Sequence, residues 1–409
     1  MSDTAEPPEH AAFRAEVRAW YEANATPKQP DDPWATNIHI DPDAARSHFE
    51  NSRQWLGTLH AAGYSGIAWP AEYGGGGGEA WMTRIEREIA GEYEEWIGFP
   101  GATIAMLGPT LLRHGTEEQK QEFIPKLLSG ELTFCQLFSE PGAGSDLASL
   151  GTKAVRDGDE FVVNGQKVWN SSAQFTDWGF MLVRTDPDLP KHKGITFILV
   201  DMSSPGIEVR PLVQINRSAH FNEVFFNDVR IPVANVVGEV NEGWGPARTV
   251  LSNESAFIAG TRTPTGAKLR MLAEQAGVAD DPIIRQDLVR YLSRERISGW
   301  MGEQVQQAVR RGEMPPMDPG LIKLGASANK RLAGDLAMAI VGAAGTAALA
   351  DDDTAAQIAW AQAELMGRYS ISIGGGTDQV LKNNIGERSL QLPREPGYDK
   401  NQSWKDIPK

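Results

Sequence analysis

The chain has 409 residues, of which 41% are hydrophobic, and its formal net charge at neutral pH is -15. Nucleic-acid phosphates need a basic face, so this charge argues against a nucleic-acid-binding protein. The single cysteine, Cys135, excludes an internal disulfide and a thiolate metal cluster, and we expect it to pack within a strand. The seven histidines include no His-x-x-x-His spacing, so no protein metal site is predicted.

The length and the hydrophobic pattern limit the architecture further. A chain of this size is expected to form two or three domains. No apolar run approaches the roughly 20 residues that span a bilayer, so no membrane insertion is predicted. The first residues, MSDTAEPPEH, are polar and acidic and resemble neither a secretory signal nor an Arg-rich transit peptide. We therefore expect a cytoplasmic protein.

Residues 1–132 are predicted to form an N-terminal helical domain. Apolar side chains recur at helical spacing, in a stripe that includes Val17. Thr116 and Gln119 have the spacing of a capping box, which predicts the start of the last helix of this domain. Residues 74–78 are five consecutive glycines, and their conformational freedom makes regular structure entropically costly. We interpret this run as a flexible connector.

Residues 133–240 are predicted to form a compact β domain. The hydrophobic period changes here from helical to alternating, and turn residues separate short strands, which is typical of a β-sandwich or barrel. No helix of useful length interrupts the strands, so a doubly wound nucleotide-binding fold is excluded. A cofactor bound to this domain would therefore lie on strand ends and loops.

Residues 241–409 are predicted to form a C-terminal helical domain. The predicted helices cover residues 246–277, 282–311, 318–349 and 354–369, and a last one follows Thr377. Four long helices of this kind make a bundle, and the small residues between 334 and 350 allow close backbone approach. The overall prediction is an α+β multidomain fold, with a helical domain, a β domain and a four-helix bundle in that order.

The stretch from Phe134 to Trp169 contains two motifs. Residues 139–146, SEPGAGSD, form a loop whose glycines let bare backbone N–H groups approach a ligand closely. Asn164-Gly165 between two apolar runs is a strong hairpin signal, because a type I′ turn needs positive φ at both central residues. Trp169 then ends a strand with an indole that can lie against a flat group.

In this order and spacing, the two motifs resemble the middle domain of the flavin-dependent acyl-CoA dehydrogenases. The resemblance extends from about Trp69 to Arg394. It implies the acyl-CoA dehydrogenase fold and an FAD cofactor whose isoalloxazine lies between the β layer and the helical bundle. It also implies an acyl-CoA substrate that loses its α proton to a carboxylate base and a hydride from its β carbon to the flavin.

The resemblance assigns six residues of the β domain to the flavin ring and its polyol. They are Phe138, Ser139, Gly144, Ser145, Trp169 and Ser171. Backbone N–H groups at 139 and 171 and the three serine hydroxyls suit the ring oxygens and N5, and Trp169 supplies contact area. Taken singly, each residue has a plain structural interpretation, as a core tryptophan or a turn-forming serine. Asn170 stands where the family more often has Thr or Ile.

In this family the ADP half of FAD lies across a subunit interface and takes partners from a neighbouring bundle. Arg285 matches the arginine that grips the pyrophosphate, and the alternative is a solvated helix arginine. The family's Gln-x-x-Gly-Gly stretch is AIVGA here, residues 339–343, which lacks the glutamine and the second glycine. Gly342 and Thr377 complete the set of predicted cofactor-binding residues.

The expected loop base is absent from this chain. Many family members carry a catalytic glutamate in a Tyr-Glu-Gly-Thr loop before the last helix, where residues 374–377 here read GGGT. No side chain at 375 can accept a proton. The backbone N–H of Gly375 remains, however, and in the family it is one of two donors to the thioester carbonyl, so Gly375 is a predicted catalytic residue.

Glu254 is the predicted base. Some branches of the family place their catalytic glutamate on an earlier helix, at the position that Glu254 matches. It shares a helical stripe with Ala247 and Leu251, which predicts burial, and burial makes a carboxylate a better base. The alternatives are a surface or interface glutamate at 254, and Asp378, which we expect to cap the final helix.

Three functional hypotheses remain open from the sequence. The first is an acyl-CoA dehydrogenase that forms a 2-enoyl-CoA and passes electrons to an electron-transfer flavoprotein. The second is a non-catalytic partner subunit, motivated by the changes at 339, 343 and 375. The third is an acyl-CoA oxidase. The expected assembly is a homotetramer or a heterotetramer with a sister subunit, and the acyl group is a fatty chain, a branched acid or a ring system.

Overall fold

The computed structural model describes residues 6–28, 33–35, 41–94, 98–260, 265–313, 317–318, 320–347, 354–394 and 401–407. The chain divides into two compact units. The first contains Met1–Pro30, His39–Asn253 and Tyr398–Lys409, and the second contains Asp31–Ile38 and Glu254–Gly397. Each unit thus takes a short segment from a distant part of the sequence. The predicted α+β multidomain fold, with helices, then strands, then helices, is confirmed.

The N-terminal part of the first unit is helical, as predicted. Its helices are α1 (Pro8–Asn24), α2 (Pro42–Ala61), α3 (Ala80–Ala90), α4 (Gly98–His114) and α5 (Glu117–Leu128). The capping box is confirmed, because the Thr116 side chain accepts from the Gln119 N–H and the Gln119 side chain accepts from the Thr116 N–H. Val17 is fully buried on α1, in a core with Ile85 and Ile89 of α3. Helical spacing alone therefore located the buried face.

The interpretation of residues 74–78 as a flexible connector was wrong. The N–H of Gly76 donates to the carbonyl of Gly66, and that of Gly78 donates to the carbonyl of Ile67. A Cβ added at Gly75 would lie 2.5 Å from Trp69, closer than real Cβ contacts allow. A Cβ at Gly76 would likewise lie 2.8 Å from the carbonyl oxygen of Ile67, so these two positions pack directly on residues 67 and 69 and leave no room for a side chain.

The β domain is one sheet of seven strands within the described residues. They are β1 (Phe134–Leu137), β2 (Lys153–Asp157), β3 (Glu160–Val168), β4 (Trp178–Arg184), β5 (Ile195–Asp201), β6 (Ile207–Leu212) and β7 (Phe221–Pro232). The strand order is β1-β4-β2-β3-β7-β6, and β5 also pairs with β4. Cys135 is fully buried in β1, as expected, and burial raises the pKa of its thiol to about 12.

The predicted hairpin at Asn164-Gly165 was also wrong. Strand β3 continues through both residues, and its register against β7 shifts between Val163 and Gly165, which marks a bulge. The turn that joins β2 to β3 lies earlier, at Gly158, whose φ is 63°. Gly165 is needed for another reason, because a Cβ there would lie 2.7 Å from the Cα of Thr152.

Helices return after the sheet, as predicted. They are α6 (Trp244–Gly260), α7 (Gly266–Gln275), α8 (Pro282–Arg310), α9 (Gly320–Val341), α10 (Ala355–Gly367), α11 (Ser370–Ile373) and α12 (Asp378–Asn384). The core of the second unit includes Leu288 of α8 and Leu336 of α9. A Cβ at Gly334 would lie 2.8 Å from the carbonyl oxygen of Glu364, so the small residues of α9 do permit close approach to α10. None of the described helices is long and apolar enough to cross a membrane.

Candidate active site

A buried ion pair anchors the loop of residues 139–146. The Lys167 ammonium is fully buried, lies 2.8 Å from a Glu140 carboxylate oxygen and donates to the Phe138 carbonyl at 3.1 Å. The same carboxylate accepts the N–H groups of Gly151 and Thr152 at 2.7 and 2.8 Å. The start of the loop is therefore tied both to β3 and to the segment before β2.

Each partner of this ion pair shifts the pKa of the other. Burial alone raises the pKa of Glu140, but the Lys167 cation and the two N–H donors outweigh it, so the pKa of Glu140 lies below its usual value. Burial lowers the pKa of Lys167, and the Glu140 carboxylate opposes that change. A satisfied buried pair of this kind fixes geometry more than it adds stability.

Trp169 follows β3 with its ring presented to solvent. Its backbone has a φ of 65°, a left-handed conformation that is rare for a bulky residue, and its side chain is 60% exposed. The Phe221 ring meets the indole edge-on, with 5.9 Å between the ring centroids. Backbone strain and an exposed large apolar ring both raise the free energy of the folded protein. The two features occur together mainly at surfaces that bind a ligand or a partner.

Asn170, the residue after Trp169, is buried. Its amide nitrogen donates to the Gln136 carbonyl at 2.7 Å, and its carbonyl accepts from the side chain of Asn222 at 2.8 Å. The side-chain oxygens of Asn170 and Asn222 are both buried and accept no hydrogen bond from any described residue. These contacts bring the end of β1 against the residues that follow β3, and they leave two buried acceptors that a ligand or water would satisfy.

The predicted flavin residues of the first unit divide into two groups. The hydroxyls of Ser139, Ser145 and Ser171 make no hydrogen bond within the described part of the chain, and a Cβ at Gly144 would meet open space. The Phe138 side chain, by contrast, is buried and meets the stacked rings of Phe180 and Phe197 edge-on. The Phe138 ring therefore fixes the start of the loop from the core of the β domain.

The glycine loop of the second unit has a defined conformation. Gly375 and Gly376 have φ values of 63° and 88°, and Thr377 caps α12 through its hydroxyl, which accepts from the Val380 N–H at 3.2 Å. The expectation that Asp378 caps this helix was therefore wrong. Asp378 is buried and pairs with Arg331 at 2.9 Å.

Asp378 is poorly suited to act as the base. Burial raises the pKa of its carboxyl, but the Arg331 and Lys323 cations outweigh burial and hold the pKa below its usual value. A carboxylate held in this way accepts a proton weakly. Glu254 lies on α6 and its side chain is half-buried, as is that of Leu251, while Ala247 is fully buried. The stripe predicted from the sequence is thus partly buried at the position of the candidate base.

Arg285 and Gly342 each adjoin a residue of the core of the second unit. Arg285 is exposed in the first turn of α8, and Gly342, with a φ of 59°, follows α9. Their neighbours Ile284 and Ile340 belong to the same core. The Gly376 carbonyl, by contrast, accepts from Lys323 near the start of α9, about 27 Å from Val341 at 1.5 Å per residue.

Comparisons with known proteins agree with the order of the three parts of the fold along the chain. Family models of the acyl-CoA dehydrogenase N-terminal, middle and C-terminal domains match residues 7–131, 135–229 and 268–390. The chain belongs to the acyl-CoA dehydrogenase family. It is an oxidoreductase of that family, and the three matched regions follow the order of the N-terminal helices, the sheet and the C-terminal helices.

Several acyl-CoA dehydrogenases are similar over most of the chain. FadE34 of Mycobacterium tuberculosis is 40% identical over 80% of this chain, which spans only 44% of the length of FadE34. IpdE1 of the same organism is 36% identical over 94% of this chain and 98% of its own. Among solved structures, the Tcur3481-Tcur3483 steroid ACAD has a TM-score of 0.73 at 30% identity, over 96% of this chain and 99% of that chain. The ChsE4-ChsE5 complex from Mycobacterium tuberculosis has a TM-score of 0.67 at 28% identity, over 95% and 99%.

The residues of the first unit fit the flavin that this family uses. The exposed Trp169 ring offers a flat apolar contact, and the unpaired serine hydroxyls and the orphaned Asn170 oxygen offer polar ones. No described group of three or more His, Cys, Asp or Glu side chains is placed to hold a metal ion. A flat, polar-edged organic cofactor therefore suits the site.

Two buried lysines were missed by the sequence reasoning. Lys167 lies in β3, a region that was predicted to be a strand from its alternating apolar residues. Lys323 lies in α9, where the prediction used only the small residues. The signal for Lys323 was present, because Lys323, Ser327 and Arg331 follow the i, i+4, i+8 spacing of one helical face. No comparable local pattern marks Lys167, whose partner lies in another element.

Proposed function

We propose that this protein catalyses flavin-dependent α,β-dehydrogenation of an acyl-CoA thioester to a 2-enoyl-CoA, with Glu254 as the base. Position 375, where many relatives have their glutamate, has no side chain. The observation that carries the assignment is the half-buried Glu254 carboxylate on α6, in the unit that also contains residues 374–377. A helix holds the direction of a side chain more precisely than a loop does, which suits a group that must meet a substrate proton.

The reaction divides between the chain and its cofactor. When bound, FAD supplies the acceptor for the hydride that leaves the substrate β carbon. Glu254 removes the α proton, and the Gly375 N–H donates to the thioester carbonyl oxygen as negative charge develops there. One such donor is worth about 2.7–4 kcal/mol of transition-state stabilisation. The flavin would be held by Ser139, Ser145, Trp169 and Ser171. The ADP half of the FAD bound to a neighbouring subunit would be held by Arg285 and Gly342.

The acyl group that we propose is bulky and derives from a steroid. Support comes from the similarity to a solved steroid ACAD and from the three glycines at 374–376, which add no side-chain volume to their loop. We propose an electron-transfer flavoprotein as the electron acceptor. A turnover panel of steroid-derived, branched and straight-chain acyl-CoA thioesters, run with an artificial acceptor, tests the substrate class. Peroxide release in air would instead indicate an oxidase.

The substitution Glu254→Gln tests the base. It keeps size and removes the proton acceptor, so we expect kcat to fall by about 10²–10⁴-fold, the usual contribution of a general base. Glu242→Gln, at an exposed glutamate that pairs with Lys193, should retain full turnover. Flavin absorbance and the melting temperature of both variants should match the wild type. Full activity of Glu254→Gln would refute the assignment.

A second candidate function is a partner subunit that supports a catalytic sister chain. It is favoured by the AIVGA stretch at 339–343, which lacks two expected residues, and by the similarity to a ChsE4-ChsE5 complex. Such a chain, purified alone, should lack bound flavin and should gain it only on co-expression with a sister chain. A yellow, active homotetramer would rule out this alternative.

A further inference from the structure

We propose that Lys323 is a positioning residue for the loop of residues 374–377. The Lys323 ammonium donates to the carbonyl oxygen of Gly376 at 2.5 Å and lies 3.7 Å from a carboxylate oxygen of Asp378. Its side chain is only 8% exposed. A buried ammonium that bonds directly to a loop carbonyl fixes the orientation of that peptide, because its charge has few other partners.

The loop needs an external anchor. Residues 374–376 are three glycines, and fixing the backbone of one residue costs about 1–2 kcal/mol, more for glycine than for other residues. Gly375 and Gly376 both adopt left-handed φ values, which side-chain packing cannot impose on a residue without a Cβ. The conformation of these peptides therefore depends on hydrogen bonds from neighbouring elements.

One face of α9 provides these bonds. Lys323, Ser327 and Arg331 are spaced at i, i+4 and i+8, and Ser327 is fully buried between the two cations. Arg331 binds the Asp378 carboxylate at 2.9 Å and also contacts the Ser372 hydroxyl. The segment is thus held before the glycines by Ser372, within them by the Gly376 carbonyl and after them by Asp378.

This inference rests on the proposed function, in which the Gly375 N–H donates to the thioester carbonyl. That N–H belongs to the 374–375 peptide unit, and one further peptide unit, 375–376, separates it from the 376–377 unit whose carbonyl Lys323 holds. Loss of this anchor frees the backbone angles of Gly375 and Gly376, and changes in these angles turn the Gly375 N–H away from the substrate oxygen. Removal of such a donor lowers kcat by about 10²–10³-fold. Lys323 acts on the reaction only through the loop and does not itself contact the reacting atoms.

The test compares Lys323→Met with a matched substitution on the same helix. Methionine keeps the length of the lysine stem and removes its donors. Lys330→Met is the control, because Lys330 also lies on α9 and pairs with Glu364 at 2.6 Å, away from the loop. Lys323→Arg keeps a donor and a charge and should recover part of the function. Each variant is purified as holoenzyme and assayed for acyl-CoA turnover and for amide hydrogen exchange of the 374–377 peptide.

We expect Lys323→Met to lower kcat at least tenfold, with a KM change below threefold, and to speed exchange in the loop at least tenfold. Lys330→Met should change neither quantity. The inference is overturned if Lys323→Met stays within twofold of the wild type in kcat, or if Lys330→Met shows the same losses, which would indicate a general effect on the fold. A wild-type protein that turns over no acyl-CoA contradicts the proposed function instead, and the exchange rates alone then decide whether Lys323 holds the loop.

Discussion

At the scale of single residues, Trp169 combines backbone strain with exposure. A left-handed φ in a bulky residue costs roughly 1–2 kcal/mol, and a ring that is 60% exposed recovers little of it by burial. The strained backbone holds the exposed ring beside Phe221. We therefore expect this residue to contribute little to the stability of the fold and more to the affinity for a bound ligand.

The substitution Trp169→Ala should therefore weaken flavin binding without weakening the fold. Aromatic contacts are worth about 0.5–1.5 kcal/mol beyond burial, so we expect the flavin dissociation constant to rise by roughly two- to tenfold. The melting temperature of the apoprotein should stay within about 2 °C of the wild type. Flavin fluorescence titration and thermal unfolding measure the two quantities. Trp169→Phe should keep most of the affinity, and an unchanged dissociation constant for Trp169→Ala would contradict the assignment.

The lowered pKa of Glu140 predicts how the free energy of unfolding depends on pH. Its pKa is depressed in the folded state, so its stabilising contribution is present above the unfolded pKa of about 4.3 and is lost as the pH falls through the folded pKa. Glu140→Gln resembles the protonated form and leaves Lys167 without a charged partner. We expect it to lower the free energy of unfolding by about 3–5 kcal/mol at pH 7, with the difference from wild type narrowing below pH 4.

Urea unfolding of both proteins between pH 3 and pH 8 measures this difference. Glu208→Gln is the control, because Glu208 pairs with Arg210 on an exposed strand surface and its removal should change stability little at any pH. A gap between Glu140→Gln and wild type that stays constant down to pH 3 would show that the carboxylate of Glu140 is not the charged partner of Lys167.

At the scale of elements, the sequence predicted what depends on local period and missed what depends on partners. Helix α5 was located by Thr116 and Gln119, because a capping box lies within one turn. The Asn164-Gly165 hairpin failed because the conformation of that dipeptide is set by β7 and by the proximity of Thr152, neither of which is adjacent in sequence. The same limit explains why the SEPGAGSD loop was recognised while the buried lysine that anchors it was not.

Glycines on helices show the same dependence on partners. A Cβ at Gly108 of α4 would lie 1.9 Å from the Trp69 ring, whereas a Cβ at Gly299 of α8 would meet nothing within 4 Å. We expect Gly108→Ala to destabilise the protein by about 1–3 kcal/mol through overpacking. Gly299→Ala should instead stabilise it by about 0.5–1 kcal/mol, because alanine loses less backbone freedom in a helix. Denaturant unfolding measures the free energy of unfolding of both variants. Equal changes for the two substitutions would show that the space around each glycine does not set the effect.

At the scale of the whole molecule, each unit takes a segment from the opposite end of the chain. Trp34, from the N-terminal region, is buried in the core of the second unit with its ring centroid 5.5 Å from that of Trp360. Trp404, near the C-terminus, lies in the first unit, where the Arg184 guanidinium is 4.8 Å from its ring and its indole N–H donates to the Ser149 carbonyl at 3.3 Å. Sequence reasoning placed domain boundaries in chain order and could not detect this exchange, because no periodicity marks an isolated tryptophan.

Because each unit contains a segment from a distant part of the sequence, substitution of Trp34 or Trp404 should loosen elements that are far from it along the chain. Trp34→Ala should lose about 3–5 kcal/mol of local stability and speed amide exchange in α7, α9 and α10, while α1 to α5 keep their wild-type protection. Trp404→Ala should speed exchange around Ser149 and at the end of β4, while α9 and α10 are unaffected. Exchange measured by mass spectrometry separates the two patterns. If Trp34→Ala loosens α1 to α5 most, the short N-terminal segment belongs to the first unit and the assignment fails, because only a side chain packed in the second core can transmit its loss to α9.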